Sequence, residues 1–175
     1  DGLREELLSL PFPDGPVALG SLGERMARDV LPYPMGNGHP AFFGWVNSPP
    51  MLAGILASLV AAAVNPSVVT SDHSSVHLER TTVRWLAELV GYPHAPGGGL
   101  LTSGASAATI LCLGAARHRA AGAAGRDVRR QGLADGPRLL FYVPSEAHSC
   151  ITRAIELLGL GRDSMRPVPL TGGRL

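Results

Sequence analysis

From Leu100 onward the sequence alternates between short extended runs and longer helical ones. "GGGLLTS" reads as a short strand, and the residues from about Ala105 as a helix. "PRLLFYVP" then reads as the clearest strand, a continuous apolar run of β-formers with a proline at each end. "SEAHSCITRAIELLGLG" reads as a helix that stops at Gly159 or Gly161, and "RPVPL" as a third strand. Strand, helix, strand, helix, strand predicts an α/β fold with parallel strands and right-handed crossovers. In such folds ligands gather beyond the carboxyl ends of the strands.

The residues before Leu100 carry helices without a comparable strand. "REELLSL" predicts a short helix stopped by "PFPDGP". "SLGERMARDV" predicts a second, with Ser21 as N-cap and Glu24 as its capping-box partner. "LPYPMGNGHP" is too rich in Pro and Gly for regular structure, and "AFFGWVNSPP" reads as extended. "MLAGILASLVAAAV" has no charge on any face. It falls short of the ~20 residues that span a bilayer. It therefore reads as a helix buried in the core or pressed into a partner subunit. "SVHLERTTVRWLAELVGYP" predicts an amphipathic helix with Ser74 or Ser75 as N-cap, ended by Gly91 and Pro93. These readings divide the chain into an N-terminal helical and extended arm, residues 1–50, and the start of a larger domain, residues 51–175.

The chain is 45% hydrophobic, which suits a packed domain rather than disorder. A net charge of +1 over scattered arginines supplies no field for nucleic acid or a membrane surface. Aromatic residues are 5% of the chain, too few for a base-stacking platform. Cys112 and Cys150 lack CxxC spacing and read as reduced thiols, which suggests a cytoplasmic protein. "DGLREELLSL" does not have the pattern of a signal peptide.

Four features carry chemistry. In "TSGASAATILCLGAAR", small residues run into a helix, where free N–H groups and the dipole attract an anion. Gly104, Ala105 and Ser106 would let a phosphate approach the backbone, and the Ser106 hydroxyl could add a bond. A tight strand-to-helix turn with a serine cap explains the same residues. The stretch is neither a P-loop nor GxGxxG. His148, just after the clearest strand, can stack on a planar ring or move a proton, or serve as a helix cap. Trp45, Asn47 and Ser48 could form an apolar wall with a polar end, or anchor the N-terminal region to the core. His73 and His77 have the spacing of two ligands on one helical face, but without HExxH they predict no metal.

Taken together, "HPAFFGWVNSP", "HLERTTVRWLAELVGYP", "GGLLTSGASAATILCLGAAR" and "PSEAHSCITRAIELLGLG" resemble the group II pyridoxal-phosphate-dependent amino-acid decarboxylases. The four segments stand in that family's order and at about its spacing. The resemblance implies the N-terminal part of a fold-type-I, aspartate-aminotransferase-like enzyme. It implies pyridoxal 5'-phosphate as cofactor, with Gly104, Ala105 and Ser106 around its phosphate and His148 stacked on its ring as a catalytic residue. It also implies that Trp45, Asn47 and Ser48 line the substrate pocket, with Ser48 near the carboxylate. Val68 and Val69 would reach a neighbouring subunit's site across a dimer.

Two departures stand out. Ala107 occupies a position often acidic in the family, and "TSDHSS" replaces a common Ser-Pro. More consequential, the chain contains no lysine. The resemblance therefore implies that the Schiff-base lysine comes from a further C-terminal portion or a second chain, in a homodimer or heteromer of such units. The expected reaction is decarboxylation of an L-amino acid to an amine, with the aromatics favouring an aromatic or apolar substrate. The same binding parts would serve an aldehyde-forming oxidative deaminase, and a non-catalytic partner subunit would keep the helices without the chemistry.

Overall fold

The computed structural model describes residues 2–46, 49–67, 72–93, 98–170 and 172. Cα packing divides the chain into two compact units, Asp1–Ser67 and Val68–Leu175.

Among the described residues the first unit carries three helices: α1 (Gly2–Leu8), α2 (Leu19–Asp29) and α3 (Leu52–Val64). The expected capping box at Ser21 and Glu24 does not form. The helix starts three residues earlier, with Ala18 at the cap position, so Ser21 already lies inside the first turn. The end of α2 is held by charge. Arg28 donates to both oxygens of the Asp29 carboxylate, at 2.7 and 3.0 Å, and Arg25 approaches at 3.8 Å. Helix α3 is exposed along its whole length, so burial within this chain, one of its two sequence readings, is not what the structure shows. Its C-cap, Asn65, takes the left-handed conformation that asparagine tolerates.

The second unit begins with α4 (Ser74–Leu89). Its N-cap is His73 rather than Ser74 or Ser75, which are both helical. Just before it, Asp72 Oδ1 lies 2.7 Å from His77 Nε2 across the first turn. The C-terminus closes as the glycine predicted. Gly91, at φ +68°, donates to the Glu88 carbonyl, and Tyr92 donates to that of Ala87. This is a Schellman closure, which needs a left-handed residue.

The strand expected at "GGGLLTS" is absent among the described residues. The N–H of Leu101, which a ladder would use, donates instead to Glu79 Oε1 of α4 at 2.7 Å. A Cβ on Gly99 would stand 2.9 Å from Val83 Cγ1, so this segment lies against α4 only because Gly99 has no side chain. Then follow α5 (Ala105–Ala123), the short α6 (Val128–Gln131), β1 (Phe141–Pro144), α7 (Cys150–Leu157), a 3-10 turn (Arg162–Ser164) and β2 (Met165–Val168). Helix α6 is capped by the Asp127 carboxylate, which accepts from Arg129 N–H at 3.0 Å. Arg126 ties the following turn by donating to the carbonyls of Gln131, Gly132 and Ala134.

Strands β1 and β2 pair in parallel, with Phe141 opposite Met165 and Pro144 opposite Val168. The predicted β-α-β order is therefore present with α7 as the crossover, but as two strands. The run "PRLLFYVP" forms a ladder only over its second half, where β2 lies alongside. Among the described residues the buried hydrophobic core consists of Ala121 of α5, Val143 of β1, and Ala154 and Ile155 of α7. Helix α7 ends at a second Schellman closure, with Gly159 at φ +69° donating to Glu156 and Leu160 donating to Ile155.

Ile155 is fully buried, so Ile155→Ala is expected to lower the unfolding free energy by about 2–5 kcal/mol. Leu157, 70% exposed on the same helix, should cost within about 0.5 kcal/mol as alanine. Urea titration of both variants checks the difference. The hydrogen bonds from Arg28 hold the Asp29 carboxyl below the usual aspartate range, against the opposing effect of burial. A depressed carboxyl stabilises the fold above its unfolded value and loses that contribution as pH falls through the folded value. Thermal stability should therefore decline on acidification into and below the ordinary carboxylate range, and Asp29→Asn should flatten that limb.

Candidate functional site

Gly104 is the N-cap of α5, at φ +153° and ψ +168°. This is a region of backbone space essentially restricted to glycine. An added Cβ would meet nothing within 4 Å, so the constraint is conformational and the space before the helix is open. The first helical bond runs from Ala108 N–H to the Gly104 carbonyl at 3.1 Å. By helix geometry the N–H groups of Ala105, Ser106 and Ala107 then point out of the end of a 19-residue helix. Gly104, Ala105 and Ser106 are all exposed. A glycine-only turn, open space and converging donors fit the phosphate of pyridoxal phosphate. The Thr102 hydroxyl supports the turn by donating to the Gly104 carbonyl at 3.0 Å.

His148 lies in the turn between β1 and α7 and is exposed. The predicted helix begins later than "SEAHSC" suggested, at Cys150, because Ala147 N–H turns back to the Pro144 carbonyl. His148 Nδ1 accepts the Cys150 N–H at 3.1 Å, so the neutral ring carries its proton on Nε2. The capping role and an outward-facing ring are thus compatible: one nitrogen holds the helix start, the other is left to a ligand.

The Gly104–Ser106 turn and His148 lie at the same end of two packed helices. Thr109, one turn into α5, lies 3.7 Å from Cys150 Sγ, the first residue of α7. Two turns further on, Arg117 Nη1 donates to the Leu158 carbonyl at 2.9 Å. Neither Thr109 nor Cys150 stands out in the sequence, since the contact joins residues far apart in the chain. Beside them an open, mostly apolar groove of about 800 Å³ runs between α5 and β1, lined by Ala108, Cys112, Leu113, Phe141 and Val143 among others.

Trp45 belongs to the first unit. It sits in a turn at φ +54°, not in an extended run, and is 78% exposed. Its ring packs at a tilt on Phe42, centroids 6.2 Å apart. Gly44 permits this turn, as a Cβ there would stand 3.0 Å from the Phe42 ring. Asn47, Ser48, Val68 and Val69 lie outside the described residues. No group of three or more His, Cys, Asp or Glu side chains suited to a metal occurs among the described residues. No helix among them is long and apolar enough to cross a membrane.

The arrangement is that of a fold-type-I pyridoxal-phosphate enzyme, in part. Residues 4–175 match the model of the pyridoxal-dependent decarboxylase conserved domain, and the chain belongs to that family. The human acidic amino acid decarboxylase GADL1 is 28% identical over 163 residues, which cover 92% of this chain and 30% of that protein. The crystal structure of mouse CSAD in apo form superposes with a TM-score of 0.82 at 26% identity, over 96% of this chain and 34% of that one. Rice TDC, solved with PLP, gives a TM-score of 0.78 at 26% identity, over 96% of this chain and 37% of that one. The chain thus spans about a third of the length of these relatives.

The turn itself makes a prediction. Gly104→Ala is expected to cost about 1–3 kcal/mol of stability through backbone strain. Gly122→Ala, inside the same helix with no atom within 4 Å of the added Cβ, should instead stabilise by about 1 kcal/mol. Opposite signs in paired urea melts would support the assignment of Gly104 as a conformationally required residue.

Proposed function

We propose that this chain forms the phosphate- and ring-binding part of a pyridoxal-phosphate-dependent L-amino-acid decarboxylase, which releases carbon dioxide and an amine. The observation that carries this reading is Gly104, a glycine-only conformation opening onto free space at the start of a long helix. The backbone N–H groups of Ala105 and Ser106, with the Ser106 hydroxyl, bind the phosphate, and the α5 dipole favours its charge. His148 stacks on the pyridine ring and, as the catalytic residue, holds or moves a proton at Nε2, its Nδ1 being engaged by Cys150. Pyridoxal phosphate, when bound, supplies an acceptor for the electron pair freed as the carboxylate leaves.

The lysine that anchors the cofactor comes, in this reading, from a segment or chain outside this sequence. Trp45, Asn47 and Ser48 border the substrate, and Val68 and Val69 approach the site of a neighbouring subunit. The uncharged, exposed α3 suits a helix pressed into a partner, consistent with a dimer of such units. A cytoplasmic location, and a division into an arm (1–50) and an incomplete large domain (51–175), belong to the same proposal.

Assembled with a lysine-bearing partner, the protein should show the visible absorbance of bound cofactor and convert an L-amino acid to the amine. An aldehyde product would instead select the oxidative reaction. His148→Ala should lower turnover by about 10²–10⁴-fold while reducing cofactor retention far less. Equal loss of both would make His148 a structural cap and overturn its catalytic role.

A further inference from the structure

The phosphate turn and His148 belong to different helices, and what fixes their spacing is a short chain of polar contacts. Thr109 Oγ1 donates to the Ala105 carbonyl at 2.8 Å. Its single proton is thereby used, so the contact of 3.7 Å with Cys150 Sγ is completed by the thiol as donor. Cys150 in turn gives its backbone N–H to His148 Nδ1 at 3.1 Å. One hydroxyl therefore links the first residue of α5 to the residue that orients the imidazole. Ser58 and Thr82 bond back to carbonyls in the same way, at 2.9 and 2.8 Å. Among these back-bonding residues, only Thr109 is also reached by a side chain of a second helix in the described hydrogen bonds.

We infer that Thr109 is a positioning residue: with Cys150 it forms a strut that sets the His148 imidazole, in its Nε2–H form, against the Gly104–Ser106 turn. This rests on the reading of that turn as the phosphate seat. The strut sits near the starts of α5 and α7, while Arg117, about two turns further along α5, ties the far end of α7 at the Leu158 carbonyl. Two ties at opposite ends stop the helices from sliding and swivelling, and only the near one touches the site. Loss of the hydroxyl should therefore leave the fold in place and free the imidazole.

The test uses the protein assembled with its lysine-bearing partner, carrying Thr109→Val, which keeps the shape, or Thr109→Ser, which keeps the hydroxyl. The ¹⁵N resonances of the His148 ring, assigned through His148→Gln, report the tautomer. Wild type and Thr109→Ser should show Nδ1 as an unprotonated acceptor, and Thr109→Val should show averaging of both tautomers. Pyridoxal phosphate should bind about tenfold more weakly to Thr109→Val and within about twofold of wild type to Thr109→Ser. Cys150→Ala removes the strut from the α7 side and should reproduce the ring change even if Thr109→Val fails to fold by circular dichroism. An unchanged ring in Thr109→Val or, where that variant does not fold, in Cys150→Ala overturns the inference, as does Thr109→Ser behaving like Thr109→Val. Failure of the wild-type assembly to bind pyridoxal phosphate overturns the phosphate seat instead, and the ring comparison still decides the strut.

Discussion

The close packing of α5 on α7 depends on the absence of bulk along one helix. On α5, Gly114 faces Leu158, whose Cδ2 would lie in contact at 3.7 Å with an added Cβ. Larger side chains there would drive the helices apart. Because they do not, Thr109 reaches Cys150 and Arg117 reaches the end of α7. Interiors pack densely and resist deformation, so the separation of two helices becomes a fixed length. The start of α5 and the start of α7 inherit that length, and with them the Gly104–Ser106 turn and His148.

Around this pair the chain leaves much apolar surface uncovered. Two parallel strands form the whole sheet among the described residues, and parallel sheets are normally covered on both faces. The apolar groove between α5 and β1 lies open. In the first unit, Leu52, Ile55, Leu59 and Val60 of α3 are all exposed. Surfaces of this kind are characteristic of interfaces. They agree with a chain that spans about a third of the length of its relatives.

Punctuation by glycine was the most legible part of the sequence. Gly91 and Gly159 stop their helices by the same two-bond closure, because the left-handed conformation it needs is a property of the residue itself. The start of α5 was legible for the same reason, and β1 and β2 followed from apolar runs set between prolines and turns. The helix starts were less so. Ser21, Ser74 and Ser75 are good caps by type, yet Ala18 and His73 hold those positions, and neither makes a side-chain cap hydrogen bond. "GGGLLTS" had the composition of a strand, but a strand needs a neighbour for its N–H groups, and the carboxylate of Glu79 took the bond at Leu101.

The glycine that opens α5 and the histidine just before α7 were visible in the sequence, because Gly104 and His148 act through local backbone and side-chain chemistry. So was the absence of lysine, which assigns the covalent anchor to residues outside this chain in the proposed reaction. That the two features share one end of a helix pair was decided only by the tertiary structure. The contacts that set it, Thr109 to Cys150 and Arg117 to Leu158, each join residues 41 positions apart. No local pattern encodes such a distance, which exists only once small side chains have let two helices meet.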